Sequence, residues 1–139
     1  MNEASRLIKH RVTLEVAGVE GPVPTEAELR YDPSDPYAVT VAFDQGDTEV
    51  AWVFGRSLLM KGISAPTGEG EVRVFPSIEP DGRAVVGLLL ISPYGEALAK
   101  LSNRDVVDFL AHTTRAVWPG TESEFLSTDD AIAAILVSG

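Results

Sequence analysis

The side chains that most often carry catalysis are scarce in this 139-residue chain, which has two histidines and no cysteine. Without thiols, disulfides, thiolate nucleophiles and cysteine-ligated zinc sites are excluded. His10 opens an alternating apolar segment and His112 lies in a helical segment, and neither belongs to a recognisable catalytic motif. A serine nucleophile needs an adjacent base, so no catalytic pair can be named. We therefore predict no enzyme, no histidine-rich metal centre and no cofactor.

Carboxylates are abundant, but their spacing does not indicate a dedicated site. Asp32 and Asp35 flank prolines in a turn, while Asp44, Asp47 and Glu49 surround the tip of a predicted hairpin. A calcium loop supplies more oxygen ligands at fixed spacing around a central glycine. Solvated turns, in which side chains bond nearby amides, explain both groups better.

The overall charge argues for protein partners. Eleven Lys and Arg residues stand against 21 Asp and Glu residues, which gives a net charge of −10. Affinity for nucleic acid comes largely from cations that meet phosphates, and an anionic membrane surface also repels a negative protein. The cations cluster only at Arg6, Lys9, His10 and Arg11. We predict no nucleic-acid partner.

The apolar segments favour a cytoplasmic protein. The longest apolar run covers residues 84–91, whereas a membrane-spanning helix needs about 20 apolar residues. The first nine residues also lack the apolar centre of a secretory leader. We therefore expect no direct insertion into a membrane.

Hydrophobic alternation predicts about seven strands in the first two-thirds of the chain. They cover residues 10–16, 28–31, 37–43, 49–54, 71–75, 84–91 and 96–101, and Pro22 and Pro24 are expected to end the first of them. Residues 96–101 have strong helix propensity, but the turn at residues 92–95 favours a hairpin. Trp52 and Phe54 are expected in the core, and with Ala51 and Val53 also apolar, the 49–54 strand is expected to be covered on both faces.

Three helices are predicted around and after these strands. The first covers residues 56–61 and is closed by Gly62, and the second runs from Ser102 or Asn103 to about Val117. Thr128 is expected to cap a third helix, which would dock onto the core through Ile132, Ile135 and Leu136. The sequence thus predicts one α+β domain over residues 1–139, with antiparallel strands in a barrel-like or two-sheet arrangement and two C-terminal helices.

Five segments between residues 29 and 122 resemble motifs of the SsgA-like proteins in the same order. Residues 29–39 (LRYDPSDPYAV) resemble RYD-x-x-DPYAV, and residues 52–59 (WVFGRSLL) resemble WVFARDLL. Residues 66–76 (PTGEGEVRVFP), 92–98 (SPYGEAL) and 117–122 (VWPGTE) are similar to PTGxGDVRVWP, SPxGEAL and VPPGTE. Gly55, Phe75 and Trp118 stand where the family usually has alanine, tryptophan and proline. The order and spacing identify the chain as an SsgA-like protein.

This resemblance implies a non-enzymatic regulator of sporulation-specific cell division in filamentous actinobacteria. Such proteins mark septum sites with an SsgA-type partner, and they recruit the tubulin-like protein FtsZ and promote its assembly. The resemblance also implies a Whirly-like fold, a homotrimer and concentration of this cytoplasmic protein at the septum. Two alternatives are a Whirly-like module that binds single-stranded nucleic acid and a paralogue with another role in septation or wall remodelling.

Six residues are candidates for partner contact because they lie in these motifs without an evident role in the core. They are Asp32, Ser34, Asp35, Arg56, Trp118 and Pro119. Each type of residue also has a structural interpretation. The two aspartates can cap their turn, the arginine can form a local ion pair or pack its stem, and the tryptophan can anchor the core.

Overall fold

The computed structural model describes residues 7–68 and 70–126, which form seven strands and two α-helices. In chain order these are β1 Ile8–Gly18, β2 Gly21–Tyr31, β3 Ala38–Gln45, β4 Thr48–Gly55, α1 Arg56–Gly62, β5 Val72–Ile78, β6 Ala84–Ser92, β7 Gly95–Ser102 and α2 Asn103–Ala116. A short 3-10 helix follows at Glu122–Phe125. The predicted α+β class and the seven antiparallel strands are confirmed.

All seven strands belong to one sheet, which curls into a half-barrel with the strand order β4-β3-β2-β1-β7-β6-β5. The two-sheet alternative is therefore wrong. The sheet is continuous because β1 pairs with β7 through Glu15 opposite Lys100 and Val16 opposite Ala99. Every other neighbouring pair of strands follows directly in sequence and is also antiparallel.

Alternation along the strands places one row of apolar side chains under α2. Val12 and Leu14 of β1 are buried, and so are Val86 and Leu88 of β6. The stripe of α2 that faces the sheet is also buried, and it consists of Val106, Phe109, Leu110, Thr113 and Val117. Each large apolar side chain removed from water stabilises the fold by about 1.5–3 kcal/mol. This packing holds α2 against β1, β6 and β7.

Strand β2 is longer than predicted because it tolerates two prolines. Pro22 and Pro24 were expected to end the strand structure, yet both pair in register with β1. Strand β3 pairs only with residues 27–30 of β2, so the proline half of β2 is free on its other side. Proline is accepted in a strand where its missing N–H faces an unpaired edge.

Strand β4 is covered on one face only, which corrects the expectation of two buried faces. Phe54 is buried, whereas Val53 is 61% exposed and Ala51 is also exposed. Trp52 packs against the core but is only partly buried. Tyr37 was expected to begin the strand predicted over residues 37–43; it precedes β3 instead and is 46% exposed.

The turns predicted from proline and glycine are confirmed, and so is β7. Residues 96–101 form a strand because Ser92 and Gly95 set the register of the β6–β7 hairpin. Gly62 was expected to cap α1, but it is the last residue of that helix and Ile63 is the C-cap. A Cβ atom on Gly62 would lie 2.2 Å from Cγ1 of Val74, so close packing against β5 requires the glycine.

Of the two predicted C-terminal helices, the structure describes only α2. Ser102 caps it as predicted, since its hydroxyl accepts a hydrogen bond from the Asp105 amide at 3.0 Å. The helix predicted to begin at Thr128 lies outside the described residues. Within the described residues, none of the helices is long and apolar enough to cross a membrane.

Candidate functional site

Arg56 lies at the junction of β4 and α1 and is the most informative of the six candidate residues. Its side chain is 1% exposed, so the expectation of an exposed contact residue is wrong. Nη1 donates to the carbonyl oxygens of Thr113 at 3.2 Å and Val117 at 2.7 Å, and Nη2 donates to the Glu122 carboxylate at 3.0 Å. The guanidinium carbon also lies 5.0 Å from the centroid of the Tyr31 ring.

These contacts follow from the chemistry of a helix end. The last carbonyls of a helix have no intrahelical donors, and the C-terminal end carries partial negative charge. Arg56 supplies a cation and two donors where α2 ends. A planar guanidinium suits this place because it can bond several acceptors and stack on an aromatic ring together. Arg56 therefore fixes the end of α2 to the sheet.

The first exposed segment attached to Arg56 is the proline turn, which we define as residues 32–37. The Arg56 amide donates to the Tyr37 carbonyl at 2.7 Å, and the Tyr31 hydroxyl donates to the Pro36 carbonyl at 2.9 Å. Pro36 is itself buried. The backbone of the proline turn is thus held from beneath by Tyr31 and Arg56.

Within the proline turn, the side chains of Asp32 and Ser34 bond each other. The Asp32 carboxylate accepts hydrogen bonds from the Ser34 amide at 2.9 Å and the Ser34 hydroxyl at 2.8 Å. Asp32 thus shapes the turn in the way that aspartate commonly does. Asp35 is exposed, and its carboxylate has no hydrogen-bond or ion-pair partner among the described residues.

The second exposed segment is the tryptophan turn, which we define as residues 118–122. Trp118 is 68% exposed and Pro119 is exposed, so the tryptophan is not a core anchor. The Thr121 amide donates to the Trp118 carbonyl at 3.0 Å. The Gly120 amide donates to Glu122 at 2.8 Å, and Glu122 in turn accepts from Arg56. Glu122, which sequence reasoning missed, thus connects this turn to the arginine.

The pKa values of Tyr31 and Glu122, which contact Arg56, agree with this geometry. Burial raises the pKa of Tyr31 to about 12, and Arg56 only partly opposes that effect. Tyr31 is therefore neutral, and its hydroxyl donates a hydrogen bond to the Pro36 carbonyl. Burial acts to raise the pKa of Glu122, but hydrogen bonds from its own amide, Arg56 and the Gly120 amide hold it below its usual value. Glu122 is therefore the ionised partner of Arg56.

Together the two turns form what we call the two-turn surface. It consists of the exposed side chains of Asp32, Ser34, Asp35, Tyr37, Trp118 and Pro119. Five of these residues were candidates from sequence. Tyr37 was missed because its alternation with Val39 placed it within a strand rather than in the turn. The sixth candidate, Arg56, lies beneath the surface and positions both turns.

A concave feature lies near the start of β4, away from Arg56. Six strands line an apolar hollow of about 400 Å³, whose walls include Phe43, Val50 and Trp52. This location explains why Trp52 faces inward without being fully buried. Asp44 is the only ionisable residue among those that line it, and it is held by Arg11 at 2.7 Å. The hollow therefore offers no acid–base pair.

Comparison with known proteins places this architecture among the SsgA-like sporulation proteins. A crystal structure of an SsgA-like sporulation-specific cell division protein from Thermobifida fusca superposes with a TM-score of 0.83 at 37% identity, covering 96% of this chain and 98% of that one. The family model for SsgA, the Streptomyces sporulation and cell division protein, matches residues 25–122. The chain belongs to the SsgA family.

A relative named SsgB and a solved structure whose description names SsgB agree with that assignment. The sporulation-specific cell division protein SsgB of Streptomyces coelicolor is 46% identical over 122 residues, which cover 87% of this chain and 88% of the relative. A solved structure described as "Mutations in SsgB correlate to longitudinal cell division during sporulation of Streptomyces coelicolor" has a TM-score of 0.83 at 41% identity. It covers 90% of this chain and 99% of that chain. The resemblance inferred from the motifs is confirmed.

Proposed function

We propose that this protein is a non-enzymatic regulator of sporulation-specific cell division that marks septum sites and recruits FtsZ, promoting its assembly. Its relatives are named sporulation-specific cell division proteins. The observation that carries the docking role is the attachment of two exposed family motifs to one buried arginine. On this proposal the protein is cytoplasmic, concentrates at the septum and acts with an SsgA-type partner.

The composition of the two-turn surface suits protein docking. Trp118 is a large exposed aromatic beside a proline, and Tyr37 adds a second exposed ring. Aromatic residues of this kind dominate the energy of protein interfaces. The hydrogen bonds of both turns hold these groups in place before binding, which lowers the entropy lost on association. Asp32 and Asp35 add a charged rim that favours a partner with basic side chains.

A homotrimer would strengthen such docking. Three copies of one surface can engage a polymer whose own sites repeat, and linked contacts gain affinity without any new chemistry. A filament of FtsZ has such repeating sites. Trimer formation, like the Whirly-like fold implied by the motifs, stays a prediction.

The nucleic-acid alternative needs a stripe of free cations on one face. In the described part of the chain, Arg11, Arg30 and Arg83 each contact a carboxylate of the same chain. Lys100 lies 3.2 Å from Glu79 in the same manner. These contacts neutralise cations that could otherwise meet phosphates, so they favour the docking function. Tight, salt-sensitive binding of single strands in a mobility-shift assay would reverse this ranking.

Co-sedimentation with FtsZ filaments tests the proposal. We expect the wild-type protein to pellet with the filaments and to increase the polymer fraction. Trp118→Ala and Asp35→Asn should reduce co-pelleting, because the first removes the exposed ring and the second removes a negative charge from the two-turn surface. Tyr94→Ala is the matched control, since Tyr94 is a fully exposed aromatic residue in a different turn.

The outcomes of that experiment separate the alternatives. Equal loss of pelleting for Trp118→Ala and Tyr94→Ala would contradict the two-turn surface as the docking site. No change in pelleted polymer at any ratio would contradict FtsZ recruitment and favour a paralogue with another role in septation. Light scattering of the protein with and without FtsZ measures the oligomer and the capture of the partner in one experiment.

A further inference from the structure

The fold brings the two histidines of the chain together although they are 102 positions apart. His10 projects from the inward face of β1, and His112 lies on α2. Nε2 of His10 and Nδ1 of His112 are 3.1 Å apart. We propose that this histidine pair is a binding site for a divalent transition-metal ion such as Zn²⁺, Ni²⁺ or Cu²⁺. The proposal revises the prediction of no metal site and is independent of FtsZ recruitment.

The separation of the two nitrogens fits a shared ion. Imidazole nitrogens bind zinc at about 2.0–2.1 Å, so nitrogens 3.1 Å apart subtend an angle of about 100° at the metal. That angle lies between those of square-planar and tetrahedral coordination, which these metals adopt. The facing nitrogens now share one proton in a hydrogen bond. An ion would displace that proton and lie about 1.3 Å to one side of the line between the nitrogens, so each ring turns slightly to direct its lone pair at the ion.

Both rings are held in position before an ion binds. The His10 ring makes an edge contact with buried Phe109, with ring centroids 5.4 Å apart and planes inclined at 72°. It lies on a strand that is paired along its full length with β2. His112 belongs to α2, whose buried stripe fixes it against the same strand. Ligands held by rigid elements lose little entropy when they bind a metal.

The surroundings favour a cation and are open to water. Asp105, Asp108 and His112 are three and four residues apart on α2, so they share one face of the helix. The charges of Asp105 and Asp108 favour positive charge at His10, and His112 and Asp108 are exposed to water. Within residues 7–68 and 70–126, no three His, Cys, Asp or Glu side chains are close enough to form a complete metal site. The protein would therefore supply two nitrogens, and water would complete the coordination.

Such an ion would link two distant parts of the chain. His10 belongs to the first strand of the sheet and His112 to the helix that follows the last. A ligand that binds only the folded state stabilises it by mass action. Zinc should therefore raise the melting temperature of the wild-type protein, and the increase should grow with zinc concentration.

Titration calorimetry with Zn²⁺ or Ni²⁺ tests the proposal on a chain without a histidine tag. We expect one ion per chain, with affinity reduced by about 100-fold or more in His112→Ala and in His10→Gln, which exceeds the usual cost of losing an outer-shell contact. Asp108→Asn should weaken binding by about tenfold, since it removes a charge near the ion. Asp47→Asn, which removes a carboxylate from the β3–β4 turn, is the matched control and should bind as the wild type does.

Electron paramagnetic resonance with Cu²⁺ keeps the test independent of protein stability. The wild-type spectrum should show hyperfine coupling to two imidazole nitrogens, and each single-histidine variant should show coupling to one. Metal-free circular dichroism verifies that the variants are folded. If the ion still binds with unchanged affinity when either histidine is replaced, or if the wild-type spectrum shows a single nitrogen, the paired site is refuted.

Discussion

Two charged networks stabilise this fold in different environments. The buried network joins Arg56 to Glu122 and to the end of α2, and the arginine is almost fully buried. The surface charge network lies on the opposite side of the sheet and contains Arg11, Glu28, Arg30, Asp44 and Glu49. It has more ion pairs, but its Arg11 side chain is 56% exposed.

The difference shows why burial matters more than the number of ion pairs. Exposed charges keep most of their hydration, so pairing them gains little and salt screens the gain. Arg56 has lost its hydration, and the hydrogen bonds of its two terminal nitrogens replace much of what water supplied, although its buried Nε has no partner among the described residues. When one partner of a buried pair is removed, the other is left uncompensated, which costs several kcal/mol. Substitutions at four positions test this comparison, in order of decreasing effect.

Arg56→Met should have the largest effect. It removes the cation paired with Glu122 and the donor to the carbonyls of Thr113 and Val117, and we expect a loss of about 3–5 kcal/mol in the free energy of unfolding. Urea denaturation measures the loss. Arg56→Lys keeps the charge but lacks the planar guanidinium, so its free energy of unfolding should lie between those of the wild type and Arg56→Met. A loss as small as that of an exposed pair would show that the buried network is no different from the surface one.

Glu122→Gln should cost about 2 kcal/mol at neutral pH, because it removes a charge-assisted hydrogen bond to a buried cation. The pKa of Glu122 is lower in the folded protein than its usual value, so the unfolded chain binds the proton more readily. The stabilisation is present above the unfolded value of about 4.3 and is lost as pH falls through the folded pKa. Melting temperatures between pH 7 and pH 3 should therefore converge for the wild type and Glu122→Gln. Parallel curves would contradict this assignment.

Tyr31→Phe should cost about 1 kcal/mol, since it removes the hydrogen bond to the Pro36 carbonyl but keeps the ring beside Arg56. Tyr31→Leu also removes the ring and should cost more, because the contact of the guanidinium with the ring is lost. Denaturation of both variants provides the comparison. If the two variants are equally stable, the ring contributes nothing to the placement of Arg56.

Arg30→Gln should have the smallest effect. Hydrogen bonds from Arg30 hold the pKa of Glu49 below its usual value, but this carboxylate is exposed. We expect a small decrease in melting temperature that disappears at high salt, where exposed pairs are screened. In the same buffers, the melting temperature of Arg56→Met should stay below that of the wild type at high salt as well. A salt-independent loss for Arg30→Gln would place the surface network among the main determinants of stability.

Local features predicted much of the fold. Alternation located the strands, and the turn at residues 92–95 predicted β7 correctly in spite of the helix propensity of residues 96–101. Such features act over a few residues, so they can be read from sequence. Pro22 and Pro24 were misjudged because their tolerance depends on how far β3 extends along β2. That extent is a property of the whole sheet.

The candidate site was predictable only in part, for a similar reason. Motif resemblance found both turns, but it gave no indication that they meet at Arg56. The partners of Arg56 lie 57 to 66 positions away, on elements whose approach depends on the complete sheet. Its burial therefore could not be predicted from its position after a strand. Tyr37 shows the opposite error, since alternation extended the strand by one residue too many.

The short β1–β7 junction has a consequence for how the molecule opens. It divides the sheet into two meanders that are each continuous in sequence, β1 to β4 and β5 to β7, and beside it a cleft of about 330 Å³ separates their strands. Each meander contains local pairings that form quickly, whereas their union requires distant contacts. Arg56 follows the first meander, and the acceptors of its side-chain hydrogen bonds follow the second. The arginine side chain therefore holds the two meanders together. Amide exchange at the junction should reveal this boundary as the place where the two meanders part before either one unfolds.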